Sequence, residues 1–224
     1  MHSGNSVYNT FCNPIQHMYR ISPPKTIKWV SSAWLYWTIP GNNKSLYLTF
    51  DDGPTPGVTN VVLDILKKYK AKATFFCLGQ NVIKYPQLFD RIISEGHAVG
   101  SHGFSHLNGW KTPMKKYVHN VSQCRQIFST NLFRPPYGKI GFKQLRILSM
   151  DYRIIMWNVM SCDYDSGISA DKCAKNVIKT AKKGSIIVFH DSLKASTNCL
   201  NSLPVVLQHF AKKGFTFDNI DFRS

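Results

Sequence analysis

Short apolar runs recur along this chain, each followed by an amphipathic stretch. That alternation constrains the fold more than any other feature, because it is the pattern of βα units carrying a parallel sheet. Strands are expected at Leu46–Phe50, Ala73–Leu78, Ala98–Ser101, Leu132–Arg134, Arg153–Val159 and Ser185–His190, with a further one at Phe215–Phe217. Most are short and apolar on both faces, as parallel strands buried on both sides are. Helical patterns fill the intervals at Thr59–Tyr69, Pro86–Glu95, Thr112–Ser129, Lys143–Met150, Ala170–Lys182 and Leu203–Lys213. Pro86 and Pro204 stand near first turns, while Gly96, Gly184 and Gly214 stand just past helix ends. A chain of 224 residues carrying such units reads as one domain. With 43% hydrophobic and 13% aromatic residues it has ample material for a core, which excludes disorder, collagen and coiled coil.

No G-x-G-x-x-G follows the first strand, so the choices are an open doubly wound sheet or a barrel. In either, the loops after the strands build the site, and polar residues placed just behind apolar runs carry the information. Those residues are Asp51 and Asp52, Ser101 to His106, Arg134 to Tyr137, Asp163 with Tyr164, and His190 with Asp191.

His102 and His106 are four residues apart, a spacing that puts two imidazoles on one face of a helical turn within reach of one cation. Either Asp51 or Asp52 completes a set of two histidines and a carboxylate, since a turn at Gly53-Pro54 lets the two side chains take different tasks. Such a set leaves coordination positions open, and zinc held this way lowers the pKa of its water to about 7. Taken alone, the Asp-Asp-Gly-Pro run is equally an acidic turn, and surface or capping groups are the lesser reading of the two histidines. Their joint placement behind different strands favours the metal.

Pro135 and Pro136 withhold two amide donors and fix an extended backbone, so the next N–H is that of Tyr137, suited to a developing oxyanion. Arg134 is expected to hold a carboxylate base in its charged form by a bidentate contact. His190 by itself is a buried histidine; paired with Asp163 it becomes an imidazolium able to act as general acid. His97 and His119 are read as structural or surface residues.

The ordered segments TFDDGP (49–54), SHGFSH (101–106), RPPYG (134–138), WNVMSCDY (157–164) and IIVFHD (186–191) resemble the polysaccharide deacetylases of carbohydrate esterase family 4, the group with a chitooligosaccharide-deacetylase homology domain. The resemblance runs from about Ser45 to Phe217, and the wording of residues 157–194 is similar to a branch common in Bacteroidetes-type bacteria. It implies an α/β fold, a distorted (β/α)7-type barrel of parallel strands with the site at their C-terminal ends. Residues 1–44 are then an N-terminal lead with the first elements, partly irregular, and 45–224 the catalytic domain. It implies one divalent cation, zinc first with cobalt or manganese as alternatives, on Asp52, His102 and His106. Asp51 matches the base, Arg134 the residue orienting it, Tyr137 the oxyanion amide, Asp163 the carboxylate tuning the acid and His190 the acid itself. The activity implied is removal of acetyl groups from an acetylated glycan, peptidoglycan or a chitin-like oligomer. Xylan O-deacetylation, hydrolysis of a small amide and a non-catalytic carbohydrate-binding role are the alternatives.

The sequence departs from the family pattern at three places. Met160 stands where an acidic residue is common, Tyr164 where a Trp is, and Phe189 where a smaller aliphatic residue is, so the acetyl pocket is expected to be reshaped.

The ionisable balance is 28 Lys+Arg against 12 Asp+Glu, a formal charge of +16, which draws anionic partners without naming them. No nucleic-acid recognition motif accompanies it, and the lysine pairs are dispersed as on solvated helix faces. An acidic cell-wall polymer fits the charge. Six cysteines without a C-x-x-C pair are read as thiols, and a monomer is favoured. No run of about 20 apolar residues is present for a membrane span. Residues to about Gln16 read as an appended or irregular lead without an export signal, a trimmed signal would look the same, and location stays open.

Overall fold

The computed structural model describes residues 34–41 and 43–222. Nine strands are present among them: β1 Leu35–Tyr36, β2 Ser45–Asp51, β3 Ala73–Cys77, β4 Ala98–Ser101, β5 Leu132–Phe133, β6 Arg153–Ile155, β7 Val159–Met160, β8 Ile186–His190 and β9 Thr216–Phe217. The α-helices are α1 Thr59–Lys68, α2 Gly79–Lys84, α3 Pro86–Ser94, α4 Met114–Gln123, α5 Phe142–Leu148, α6 Ala170–Thr180 and α7 Ser196–Lys212. The sheet runs β1-β6-β5-β4-β3-β2-β8-β7, with β9 beside the start of β2. Every strand pairing is parallel, and the sheet curls into the expected distorted barrel with helices outside.

The barrel does not close by direct pairing of its edges. The chain leaves β6, which lies next to the edge strand β1, and enters β7 at the opposite edge within three residues, which is why 153–159 is two short strands and not the single one expected. Met156 N–H donates to the Tyr36 carbonyl, and Asn158 N–H to that of Ile186. The segment after β1 crosses the same seam, where Thr38 bridges Ser185 and Ile39 N–H donates to Gly184. The sheet thus takes in Leu35–Tyr36, ahead of residue 45.

Alternation along the strands sets the two layers. On β2 and β8, Leu46, Leu48, Phe50, Ile187 and Phe189 pack outward in the main core with Val62 and Leu66 of α1 and Val206 and Phe210 of α7. Their neighbours Thr49, Asp51 and His190 face the barrel interior, where Phe76, Leu132, Ile155 and Ile186 form a second cluster below the polar residues. The helices show the matching stripe: α1 buries Thr59, Val62, Leu63, Ile65 and Leu66, a 3.6-residue repeat.

The helices differ from expectation in three respects. α2 is an additional short helix. The 112–129 pattern shortens to α4 followed by a 3-10 turn at Cys124–Gln126. Pro204 lies inside α7, which begins at Ser196 and not at Leu203. Ser202 Oγ donates to the Asn198 carbonyl, and Asn198 Nδ2 ties this early part of α7 to the carbonyls of Asp163, Asp165 and Ile168. Tertiary bonds therefore hold the turns ahead of the proline. Cys77, Cys124, Cys162, Cys173 and Cys199 are buried thiols, none in a disulfide, and Cys12 lies outside the described residues. No helix of the described residues is long and apolar enough to cross a membrane.

Candidate active site

The interior-facing residues at the C-terminal ends of β2, β4, β5 and β8 converge on one spot. Asp51 is the register partner of His190 across β2 and β8, so a carboxylate and an imidazole stand side by side at the rim. Asp52, His102 and His106 each offer one ligand atom, and these atoms lie within 4.8 Å of one another.

The two histidines do not share a helical turn, as their spacing suggested. The segment after β4 is irregular: Gly103 takes φ +79 and His106 φ +58. The Asn120 side chain of α4 accepts the N–H groups of Phe104 and Ser105, holding the loop in this shape. Left-handed backbone is uncommon for non-glycine residues. Asp52 (φ +81), His106 and Tyr137 (φ +60) nevertheless adopt it at the site, with Cys162 (φ +65) beside Asp163.

Protonation at the cluster suits a cation. His102 Nδ1 lies 2.8 Å from the Arg134 carbonyl, which can only accept, so Nδ1 carries the proton and Nε2 keeps its lone pair. Burial lowers the His102 pKa to about 4 against the pull of Asp51, so the ring is neutral at physiological pH. Asp52 Oδ1 is buried without a hydrogen-bond partner among the described residues. It lies 3.2 Å from His106 Nε2 and 3.7 Å from His102 Nε2. Burial works to raise the Asp52 pKa, but His106, His190 and His102 together outweigh it and lower it. An orphaned carboxylate oxygen facing two imidazole nitrogens is a donor set that fits a divalent cation of zinc type.

Beside this cluster, Asp51 is held by Arg134, which is fully buried at 0% exposure. Arg134 Nη1 donates to Asp51 Oδ1 and to Thr49 Oγ1, both at 2.7 Å. The grip is therefore single and not bidentate, because Nε and Nη2 are spent on the carbonyls of Ile155 and Met156 at the seam. The guanidinium also lies 4.1 Å from the Phe76 ring centroid. Tyr137 follows in a turn closed by the N–H groups of Gly138 and Lys139, which leaves its own amide outside those two bonds. Its ring, 59% exposed, meets His106 edge-on at 4.5 Å between centroids.

On the opposite side Asp163, 1% exposed, grips His190 twice. Oδ2 accepts the His190 backbone N–H and Oδ1 faces Nδ1, each at 2.8 Å. Burial disfavours the imidazolium, yet Asp163, with Asp52 and Asp51, overcomes it and raises the His190 pKa to about 9. Tyr164 meets the His190 ring at 5.2 Å, and Met160 packs with Cys162 and Val188 under it. Phe189 faces away from the site, its ring 6.0 Å from Phe50 in the outer core, so it does not wall an acetyl pocket. His97 is structural, accepting the Ala73 N–H, and His119 is exposed.

Asp191 stands with His190 among the polar residues behind the last long apolar run, but the sequence assigns it no task. It is buried, and its carboxylate accepts from Gly53 N–H and Thr59 O–H. Its position next to His190 was the only sequence signal, and nothing in the pattern named its partners.

Residues 38–151 match the family model described as Polysaccharide deacetylase. A peptidoglycan-N-acetylglucosamine deacetylase of Bacillus cereus is 31% identical, over 83% of this chain and 91% of that protein. The chain belongs to the polysaccharide deacetylase family. Family membership makes it a hydrolase. A chitooligosaccharide deacetylase of Azorhizobium caulinodans is 31% identical over 68% of this chain and 76% of its own length. Among solved structures, the Bc1960 peptidoglycan N-acetylglucosamine deacetylase in complex with 4-naphthalen-1-yl-N-oxidanyl-benzamide superposes with a TM-score of 0.78. It is 31% identical, covering 86% of this chain and 94% of that one.

Proposed function

We propose that this chain removes N-acetyl groups from N-acetylglucosamine units of peptidoglycan, with Asp51 as base and His190 as acid. The observation that carries the reading is that a carboxylate and an imidazole are register neighbours on adjacent strands, each gripped by its own buried partner. Asp51 Oδ1 accepts from Arg134 Nη1 at 2.7 Å, and Asp163 holds His190 as a cation. Acyl transfer from an amide needs such a pair, because water must lose a proton and the amine must gain one before it departs.

Asp52, His102 and His106 would hold the cation, zinc by the nature of the donors, and when bound it supplies Lewis acidity and acidifies water. Asp51 takes the water proton. The Tyr137 N–H donates to the oxygen that becomes negative, a contact typically worth about 3 kcal/mol in the transition state. His190, its Nδ1 committed to Asp163, delivers a proton from Nε2 to the departing nitrogen.

Peptidoglycan is favoured over chitin by the names of the relatives and by the charge of +16. The rim suits a glycan as well. Tyr137 and Trp110 are 59% and 69% exposed, and Trp110 is held rigid by its indole N–H on the Ile140 carbonyl, with Lys139 at 5.3 Å from its ring. Flat aromatic faces cover the apolar faces of sugar rings, and the ammonium adds a contact for a carboxylate. The test is acetate release from peptidoglycan, N-acetylglucosamine oligomers and acetylxylan, with added zinc and again with chelator. Zinc-dependent release from peptidoglycan is expected; release from acetylxylan alone, or release indifferent to chelator, refutes the reading.

A further inference from the structure

Asp52 lies just past the end of β2, outside regular structure, with φ +81. An unsupported aspartate in the left-handed region would relax, so something must hold the peptide groups on either side of it. Three hydrogen bonds do so. The Asp191 backbone N–H donates to the Asp51 carbonyl at 3.1 Å. Asp191 Oδ1 accepts the Gly53 N–H at 3.0 Å. Asn81 Nδ2 donates to the carbonyl of Asp52 itself at 2.8 Å. Asp191 thus contributes two of the three and clasps Asp52 from before and after.

The clasp has its own support. Asp191 Oδ2 accepts from the Thr59 hydroxyl at 2.6 Å, and Thr59 Oγ1 in turn accepts the Thr55 N–H at 2.7 Å. One carboxylate therefore joins the end of β8, the 52–55 turn and the first residue of α1. The fit is close enough to dictate the residue at 53, since a Cβ there would overlap the Asp191 carboxylate.

We propose that Asp191 is a positioning residue for the cation site: its backbone and carboxylate fix Asp52 in the conformation that turns its side chain toward His102 and His106. The proposal rests on Asp52 being a ligand, and the experiment separates the two. Cobalt(II) affinity is measured by calorimetry on metal-free protein, alongside the thermal unfolding of the same metal-free samples. Wild type binds and Asp52→Ala does not; binding by Asp52→Ala would refute the ligand assignment and leave the clasp without an object. Asp191→Ala is expected to unfold cooperatively and to bind about 10–100-fold more weakly, the usual effect of removing a group that orients a ligand. Asp191→Asn keeps an acceptor for Gly53 N–H and is expected within a few-fold of wild type. Thr59→Val, which removes only the outer support, is expected to weaken binding by a smaller factor and carries the test if Asp191→Ala does not fold. Wild-type affinity in a folded Asp191→Ala, or in Thr59→Val where the alanine variant is unfolded, overturns the proposal. So does an Asp191→Asn as weak as Asp191→Ala, because the charge and not the hydrogen-bond geometry would then be responsible.

Discussion

Asp51 and Asp52 are adjacent and chemically identical, yet the fold gives them different surroundings, which is the basis of the different tasks proposed for them. Asp51 ends β2, points inward with the alternation of the strand, and meets Arg134. Asp52 leaves the strand in a left-handed conformation and meets the imidazoles. Asp51→Asn keeps the size of the side chain but removes the proton acceptor. Turnover should fall about 10²–10⁴-fold, the range for a lost general base, while metal content by atomic absorption stays at the wild-type ratio. An Asp51→Asn that lost its metal would make Asp51 a ligand. The Asp163–His190 pair gives a second expectation. The acid must be protonated, and the Asp163 carboxylate raises the His190 pKa to about 9, so activity should persist until pH rises through that value. Asp163→Asn withdraws the largest raising influence while burial, which lowers the pKa, remains. The alkaline limb of kcat against pH should then move to lower pH, toward or below the ordinary histidine value near 6.5. An unmoved limb would assign it to another group.

At the scale of elements, Arg134 shows how the barrel carries its site. A fully buried guanidinium between β2, β5 and β6 satisfies Asp51, Thr49 and two carbonyls of the seam at once. Arg134→Met should cost about 3–5 kcal/mol in urea unfolding, because it leaves the Asp51 carboxylate buried and unpaired; a loss under about 1 kcal/mol would mean that water replaces the guanidinium. The same residue marks what the sequence could and could not tell. That Arg134 belongs at the site followed from its place behind an apolar run. That its grip on Asp51 is single did not, because the competing acceptors, Ile155 and Met156, sit some twenty residues on and are brought near only by the sheet order. The strands β2, β3, β4 and β8 were legible because runs such as LYLTF and IIVFH have no other use than burial on both faces. The division of 153–159 was not, since both halves are apolar and only the seam separates them. The loop joining His102 and His106 was misread as a helical turn because its shape is imposed by Asn120 of α4, which local spacing cannot reveal. Pro204 inside α7 failed in the same way: a local rule for first turns gave way to tertiary bonds made by Asn198.

For the whole molecule, charge is distributed by function. Of the chain's 12 acidic residues, Asp51, Asp52, Asp163 and Asp191 are gathered in the site, and the basic residues lie largely outside it. Lys67 and Lys68 stand in the last turn of α1 and Lys212 in that of α7, where a cation also complements the helix dipole. These lysines serve the helices locally, and with the rest they sum to a net field of +16 that no single patch explains. Such a field acts on encounter more than on chemistry, and salt screens it, the Debye length shrinking from about 10 Å at 0.1 M to about 3 Å at 1 M. A glycan bearing carboxylates should therefore feel the salt and a neutral one should not. Raising sodium chloride from about 0.05 M to about 0.5 M should lower kcat/KM on peptidoglycan by about an order of magnitude through KM. The value on a neutral N-acetylglucosamine oligomer should stay within about two-fold, since the residues doing the chemistry are buried and little screened. Equal salt dependence on both substrates would place the effect on the site and not on the field. No dependence on either would mean that the positive surface serves the helices alone.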